Sequence, residues 1–428
     1  MPQLNDGQKF LISELMDLFP STGKRFALNP SSSLWKQRDV PNLHWMEKID
    51  DRHPWDVYIH IPFCKSICTF CGCNIKTAQG HEQEGVYIDK VLQEWSFYQK
   101  EHPNNTVKNL FIGGGTPNAL SEKNISRLLE TFNAQNIYIE LSPQLFNESQ
   151  AKALSSFNIK RVTFGIQDFN KKVLDNVNRT QSLSKVHEAI YFSRKYNLGE
   201  IATDLIYGLP FQNQQSIKET LRQILEIEPD LIHFYPLAPV PWQEARQRAY
   251  GQFELIPQKQ KNILYDLGAS DLLKNGYKNL GFNVFLSKYT TIKNNSLLDR
   301  NICDVASELS TTLIGLGVSS ISYSKDMYVR NHKILEKYLF QEHKEKKHFP
   351  LGHFRRASEI ELEALYKTIF MNGKFKWDGD DFLEFLKHGL LVKNNDQYLV
   401  TDIGRHFLPQ LYAKIEEAKS SLISSRPY

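Results

Sequence analysis

Short stretches that are apolar almost throughout alternate along this chain with longer stretches whose apolar residues recur at helical spacing. The apolar stretches predict strands at 56–61, 107–112, 137–141, 161–166, 201–207, 231–235 and 277–281. The helical spacing predicts helices near 84–101, 121–133, 147–157, 184–196, 214–227 and 257–275. Strands without polar alternation are typical of sheets covered on both faces. Repeated units of one strand and one helix therefore predict parallel strands joined by right-handed crossovers.

This pattern indicates an α/β fold, either a doubly wound sheet or a full or partial βα barrel. A barrel would carry its chemistry at the carboxyl ends of the strands. We divide the chain into an N-terminal arm (1–52), a βα core (53–285), a barrel extension with linker (286–350) and a C-terminal domain (351–428). The arm is Pro/Ser-rich and polar, which predicts an extended or partly helical segment.

The C-terminal domain resembles a winged helix. Its pattern predicts helices at 358–371 and 380–388, a hairpin of 390–394 and 397–401, and a final helix. Winged helices can bind DNA, but this one carries Asp378, Asp380 and Asp381, which favours a packing domain. The charged run at 341–348 predicts a solvated helix end or linker, with a basic interaction patch as the alternative.

Composition narrows the class of protein further. Of the 428 residues 41% are hydrophobic, which excludes wholesale disorder, and the net charge of +4 does not indicate a nucleic-acid partner. We find no apolar stretch near the ~20 residues that cross a bilayer, and the first residues lack the features of a signal peptide. These observations predict a cytoplasmic protein without a membrane partner, in a compartment where disulfides rarely persist.

Cysteine usage is uneven, since four of the five cysteines stand at 64, 68, 71 and 73. Zinc, an iron–sulfur cluster and a redox pair are the alternatives for thiols in a reducing compartment. Zinc would need a second ligand pair and only Cys303 remains, while a Cys68/Cys71 dithiol leaves two cysteines idle. Three thiolates just after a strand can instead hold three irons of a 4Fe–4S cube and leave the fourth iron open for chemistry.

Other motifs stand at strand ends. Gly113 to Thr116 follow the second predicted strand, and consecutive glycines can form an anion-binding nest, although a tight connection is the simpler interpretation. Glu140 and Asp204 stand towards the ends of later predicted strands, where acids can bind ribose hydroxyls or merely cap a helix. The segment 315–320 imitates a dinucleotide fingerprint but lacks its third glycine, so we set that reading aside.

The cysteine spacing Cys-x3-Cys-x2-Cys is the signature of radical S-adenosylmethionine (SAM) enzymes. The longer string, with His60-Ile-Pro-Phe-Cys64 before it and Cys71-Gly-Cys73-Asn closing it, resembles the oxygen-independent coproporphyrinogen III dehydrogenase (oxidase) family over most of the chain. The resemblance implies a partial βα barrel of the radical SAM type, a 4Fe–4S cluster and SAM in two copies. It also implies an oxidoreductase of porphyrin and haem biosynthesis.

The resemblance assigns roles to residues of this chain. Cys64, Cys68 and Cys71 would ligate the cluster and act in catalysis together with Tyr58. The first SAM would contact Tyr58, Gly114, Glu140 and Ile321. The second SAM would contact Phe70, Cys73, Gly115, Thr116, Gln167, Arg179, Asp204 and Ala238. The resemblance implies a porphyrinogen substrate, a reduced electron donor such as a flavodoxin or ferredoxin, and a monomer.

The chain departs from the resembled family at two segments. Where the family commonly has Met-Asp-His-Phe-Ala, this chain has Phe282 to Leu286, and where it has Gly-Tyr-Thr-Thr, this chain has Asp304 to Ser307. The losses remove polar partners for a carboxylate-rich porphyrinogen. Arg300 is a candidate partner for a carboxylate, with one end of a surface salt bridge as the alternative.

Three interpretations therefore stay open. The first is the porphyrinogen oxidase, and the second is a related radical SAM enzyme with another substrate, for example a methyltransferase that consumes the second SAM. The third is a haem-binding chaperone that keeps the cluster. Cys303 is expected to be a packed, unreactive thiol under all three.

Overall fold

A twelve-stranded sheet forms the centre of the molecule. The computed structural model describes residues 12–20, 30–35, 38–77, 81–238, 255–290, 298–341 and 348–424. The strands of the main sheet, numbered along the chain, are β1 Trp55–Ile61, β2 Val107–Gly114, β3 Asn136–Leu141, β4 Ile159–Gln167, β5 Glu200–Tyr207, β6 Leu231–Pro236, β7 Tyr277–Gly281, β8 Val284–Ser287, β9 Leu313–Leu316, β10 Ile321–Tyr323, β11 Met327–Arg330 and β12 Leu351–Phe354. Their order across the sheet is β7-β8-β6-β5-β4-β3-β2-β1-β9-β10-β11-β12.

The middle of this sheet is parallel, as the sequence predicts. Strands β6, β5, β4, β3, β2, β1 and β9 pair in parallel, and the strands on either side of them pair antiparallel. All seven strands predicted from the apolar stretches are present as β1 to β7. Side chains from β4 and β6 meet the same residue, Asp304, so both strands present residues to one interior face of the sheet.

Helices connect the parallel strands and cover their outer face. The α-helices of the described residues are Ile12–Leu18, Asn42–Met46, His81–Glu101, Glu122–Phe132, Glu148–Leu154, Lys171–Asn176, Leu183–Lys195, Gln214–Ile227, Gln258–Lys274, Leu335–Phe340, Ala357–Asn372, Leu383–Lys387 and Leu408–Ser424. The Ser121 and Asn147 side chains each accept a hydrogen bond from a backbone N–H three residues later, at 3.4 and 3.0 Å. Both residues are helix N-caps, a position at which Ser and Asn are strongly preferred.

The strands after β7 are shorter and were not predicted. β8 to β12 have three or four residues each, too few for an apolar period to emerge from the sequence. β9 lies in the predicted barrel extension (286–350), and it pairs in parallel with β1 from Leu313 to Leu316. The core therefore recruits a strand from the predicted extension, and the predicted domain boundaries stay a prediction.

The arm and the C-terminal region both pack on the core. Helix Ile12–Leu18 lies against helix Gln258–Lys274, where Ser13 donates a hydrogen bond of 2.9 Å to Asp266. In the C-terminal region, strands Lys374–Lys376, Gln397–Val400 and Leu391–Asn394 form a small antiparallel sheet that contains the predicted hairpin. One hydrophobic cluster joins this region to the parallel core.

Two details of the C-terminal prediction change. The second helix is Leu383–Lys387 and begins later than predicted, and Asp380 and Asp381 pair locally with Lys393 and Trp377. The charged run at 341–348 falls mostly on residues 342–347, which lie outside the described residues. Among the helices that the structure describes, none is long and apolar enough to cross a membrane.

Candidate cluster and cofactor site

The cysteine-rich loop begins directly after β1 and is closed at its base. Strand Phe63–Cys64 pairs in parallel with Lys76–Thr77, and the Lys76 N–H donates to the Pro62 carbonyl at 2.7 Å. The His60 side chain contacts the Asn74 carbonyl at 2.8 Å through Nε2. These contacts join the two ends of the loop, so the intervening thiols form one compact group.

A second set of contacts docks the loop on the segment after β4. The Thr69 N–H donates to the Val177 carbonyl at 3.1 Å, and the Asn178 side chain donates to the Ile67 carbonyl at 2.8 Å. Within the loop, the Cys71 N–H donates to the Cys68 carbonyl at 3.2 Å. The positions of Cys68 and Cys71 therefore depend on residues more than a hundred positions away in the sequence.

Two of the thiols receive hydrogen bonds from outside the loop. The Thr116 hydroxyl donates to Cys64 Sγ at 3.4 Å, and Arg179 Nη1 donates to Cys68 Sγ at 3.6 Å. Burial raises the pKa of Cys64 to about 11, although the Thr116 hydrogen bond opposes this shift. Donors aimed at sulfur stabilise thiolates, which is the form that binds iron.

The donor set fits an iron–sulfur cube. Among the described residues, no three His, Cys, Asp or Glu side chains converge closely enough to hold one metal ion. Each thiolate of a 4Fe–4S cluster binds a different iron, so its ligands need not converge on one point. Cys64 is buried, Cys68 and Cys71 are half-buried and Cys73 is exposed, with a hydrogen bond between the side chains of Cys71 and Cys73.

The glycine turn at the end of β2 packs tightly against the loop. A Cβ on Gly115 would lie 2.7 Å from the carbonyl oxygens of both Ile61 and Phe63 and 3.1 Å from Cys64 Sγ. Gly114 has a φ of +107°, a conformation that favours glycine. A larger residue would hold the turn away from the thiols. The glycines therefore position the turn beside the cysteine loop and do more than shorten the connection after β2.

The Gly114 N–H points at a carboxylate. It donates to Glu140 Oε2 at 3.2 Å. Two effects raise the pKa of Glu140 to about 7: the larger is desolvation by the surrounding protein, and the next is the negative charge of Asp204. Tyr58 stands on β1, with its hydroxyl 3.0 Å from His60 Nδ1.

The other predicted cofactor residues lie at the same edge of the sheet. Gln167 ends β4 with a φ of +74°, and Ala238 follows β6. Ile321 begins β10, and Phe70 packs against an apolar cluster that includes Leu209. Carboxyl ends of parallel strands meet at one edge, which is why residues spread over the sequence gather here.

A buried polar network that the sequence did not reveal runs across the interior. His233 lies between Asp204 (Nδ1 to Oδ1, 2.7 Å) and Asp304 (Nε2 to Oδ1, 3.3 Å). Asp304 also pairs with Arg161 at 3.1 Å, and Arg161 pairs with Glu200 at 2.7 Å. His233 on β6 and Asp204 on β5 occupy paired positions of adjacent strands. A polar residue inside each of these otherwise apolar strands is the sequence signal that could have revealed this part of the network.

The charged groups of this network shift the pKa values of one another. Burial alone would lower the pKa of His233, but its hydrogen bonds with Asp204 and Asp304 raise it to about 9. Burial opposes ionisation of Asp304, yet the Arg161 charge and the His233 hydrogen bond outweigh it and hold the Asp304 pKa well below its usual range. The network therefore contains an imidazolium ion at neutral pH.

The network partly corrects the expectation that segments 282–286 and 304–307 lack polar partners for the substrate. Val284 stands where the resembled family has histidine, and across the sheet it pairs with His233 on β6. Paired residues on adjacent antiparallel strands share one face, so His233 presents an imidazole to the face from which position 284 has lost it. Asp304, inside the second departing segment, supplies a carboxylate.

The remaining two residues of this region have packing contacts. Arg300 donates to the Phe282 carbonyl at 3.2 Å and lies over the Phe282 ring at 5.6 Å. Cys303 is half-buried beside an aromatic cluster that includes Phe111 and Tyr138, as expected for a packed thiol.

The His233 network predicts a pH dependence of stability. A histidine whose pKa is raised on folding stabilises the fold below its unfolded pKa of 6.5, and this contribution is lost as the pH rises through about 9. We expect it to amount to about 3 kcal/mol. Urea unfolding of the cofactor-free protein on both sides of this window should show that His233→Gln removes the corresponding pH dependence.

The exposed His53→Gln variant is the matched control and should keep the wild-type pH profile. If wild type and His233→Gln differ in unfolding free energy by the same amount at both ends of the window, the imidazolium is not held as described.

Comparison with known proteins identifies the family. The model of the radical SAM superfamily matches residues 58–224, which include the cysteine loop and the glycine turn. An oxygen-independent coproporphyrinogen III oxidase from Synechocystis sp. is 32% identical over 323 residues, covering 72% of this chain and 69% of that protein. The chain belongs to the oxygen-independent coproporphyrinogen III oxidase family.

Further relatives agree with this membership. The coproporphyrinogen III oxidase of Escherichia coli strain K12 is 34% identical over 300 residues, 67% of this chain and 65% of that one. The solved structure of an Escherichia coli coproporphyrinogen III oxidase, described as a radical SAM enzyme, superposes with a TM-score of 0.79 at 27% identity. The superposition covers 87% of this chain and 92% of that one.

Membership in the oxygen-independent coproporphyrinogen III oxidase family confirms several predictions. These are the radical SAM α/β fold, the class of oxidoreductase, and a 4Fe–4S cluster and SAM as cofactors. The residue assignments and the second SAM stay predictions, and the geometry above supports them as proposals.

Proposed function

We propose that the protein converts two propionate groups of coproporphyrinogen III to vinyl groups and so forms protoporphyrinogen IX without oxygen. On each propionate the β-carbon loses a hydrogen atom, and the carboxylate then leaves as carbon dioxide. One electron per vinyl group passes to an external acceptor. This activity would place the protein in haem biosynthesis, in line with the activity of the relatives named above.

One observation carries the proposal. The thiol loop, the glycine turn and the interior acids lie together at the carboxyl ends of the parallel strands, in a chain of the coproporphyrinogen oxidase family. The Thr116 and Gly115 contacts join the turn directly to the loop. A cluster and a SAM molecule held by the two elements would therefore be neighbours.

In the proposed site Cys64, Cys68 and Cys71 hold the cluster. When bound, the cluster and SAM supply the one-electron chemistry that removes hydrogen from an unreactive carbon. The Gly114 backbone and Glu140 would orient the first SAM, together with Tyr58 and Ile321. The second SAM would contact Phe70, Cys73, Gly115, Thr116, Gln167, Arg179, Asp204 and Ala238.

The protein's remaining task is to hold a carboxylate-rich substrate. The positive charges of Arg161 and His233 are already matched by Glu200, Asp204 and Asp304. We assign a substrate carboxylate to Arg300, which is half-buried and close enough to Tyr235 for its positive charge to favour ionisation of that hydroxyl. We further propose a small reduced donor such as a flavodoxin or ferredoxin, a monomeric state and a cytoplasmic location.

The test is an anaerobic incubation of the reconstituted protein with dithionite, SAM and coproporphyrinogen III, followed by mass analysis. We expect protoporphyrinogen and deoxyadenosine. SAM cleavage without protoporphyrinogen would reject the proposed substrate in favour of another, for example a methyl acceptor. Stoichiometric haem binding with negligible deoxyadenosine would instead favour a haem chaperone.

A further inference from the structure

We propose that Arg179 and Thr116 raise the reduction potential of the cluster through their hydrogen bonds to its thiolates. This inference rests on the cluster of the proposed function and adds a role for both residues that does not involve SAM. Arg179 donates to Cys68 Sγ and Thr116 donates to Cys64 Sγ, at 3.6 and 3.4 Å.

Arg179 is fixed in place by contacts on its other side. Its Nη2 donates to the Gly165 carbonyl and to Gln181 Oε1, and Gln181 in turn donates to the Ile166 carbonyl at 3.1 Å. The guanidinium is thus tied to the end of β4, and its remaining face is directed at the thiol loop. Because its anchors are protein groups, its charge stands beside Cys68 without a contribution from SAM.

Thr116 is fixed by the glycine turn. Its N–H donates to the Phe63 carbonyl at 2.9 Å, and the preceding Gly115 leaves no room for a side chain between the turn and Cys64. The hydroxyl therefore approaches Cys64 from a rigid backbone. It offers a neutral donor, whereas Arg179 offers a donor with a full positive charge.

The physical consequence follows from charge. Reduction adds one electron to the cluster without making or breaking a bond, so the reduced state is more negative by one charge. Hydrogen bonds to the sulfurs and a nearby cation stabilise the more negative state, which raises the reduction potential. Arg179, with its charge, should have the larger effect. Neither residue is thereby catalytic, since each acts through a cysteine.

The experiment is a redox titration of the anaerobically reconstituted protein without SAM, followed by electron paramagnetic resonance. For Arg179→Gln we expect about a tenfold lower equilibrium constant for reduction, a shift of about 59 mV to lower potential. Arg179→Lys should fall between wild type and Arg179→Gln, and Thr116→Val should shift in the same direction by less. The exposed Arg222→Gln is the matched charge control and should titrate like wild type.

Potentials are compared among cluster-loaded molecules only, so a lower cluster content does not mimic a shift. Should Arg179→Gln fail to load, Arg179→Lys and Thr116→Val provide the comparison. Unchanged potentials in the loaded variants, or shifts that occur only after SAM is added, would overturn the proposal. Failure of the wild-type protein to take up any cluster would instead contradict the proposed function itself.

Discussion

Replacing Cys68 with alanine is expected to abolish the cluster. Cys68 is one of the three proposed iron ligands, and its sulfur already receives the Arg179 hydrogen bond. Loss of residues that merely support a metal ligand costs about 10- to 100-fold in affinity, so loss of a ligand should lower bound iron by more than about tenfold. Iron and sulfide analysis and the brown visible absorption after anaerobic reconstitution measure this, and deoxyadenosine formation should disappear with them.

Two other cysteines provide matched controls. Cys303→Ala removes a half-buried thiol that packs beside aromatic rings, and it should leave the iron content unchanged. Cys73→Ala should also keep its iron, since Cys73 is assigned to the second SAM and not to the cluster. A Cys68→Ala protein that retains the brown absorption would contradict the site, the oxidase and both alternative functions at once.

Replacing Arg161 with methionine is expected to destabilise the fold by about 3 to 5 kcal/mol. Arg161 is only 1% exposed and pairs with Glu200 at 2.7 Å and with Asp304 at 3.1 Å. Without the guanidinium two carboxylates are left in the interior with less positive charge to match them. Urea unfolding of the cofactor-free protein, read as the midpoint of the main transition, measures the loss.

The exposed Arg127, which pairs with Asp89 at 2.7 Å, is the control. Arg127→Met should change stability by no more than about 1 kcal/mol, because surface ion pairs contribute little. Adding Glu200→Gln and Asp304→Asn to Arg161→Met should recover part of the loss by removing the two charges. A loss below about 1 kcal/mol for Arg161→Met alone would show that the interior is well hydrated and that the ion pairs are weak.

The central part of the fold followed from local pattern. Each of the strands β1 to β7 is an apolar stretch long enough to be seen, and the helix caps Ser121 and Asn147 follow from short-range chemistry. The strands β8 to β12 were not predicted because a segment of three or four residues shows no clear hydrophobic period. β9 in particular is recognised as a strand only through its parallel pairing with β1, which lies about 250 residues earlier in the sequence.

The candidate site divides in the same way. The cysteine loop and the glycine turn are continuous segments, so their residue types and spacing indicate their chemistry in the sequence alone. The network of Arg161, His233 and Asp304 comes from three separate segments. Within each segment it is a lone polar residue, and a lone histidine or acid is more often a packing or surface feature than part of a site.

The sequence by itself determined the α/β class, the spacing of the three proposed cluster cysteines and the resemblance that predicted the family. These are properties of neighbouring residues, and a covalent chain fixes which residues are neighbours. Only the tertiary structure decided that Arg179 donates to Cys68, that Thr116 donates to Cys64 and that His233 faces position 284. Those contacts depend on strand order and register, which are set by packing between segments distant in sequence.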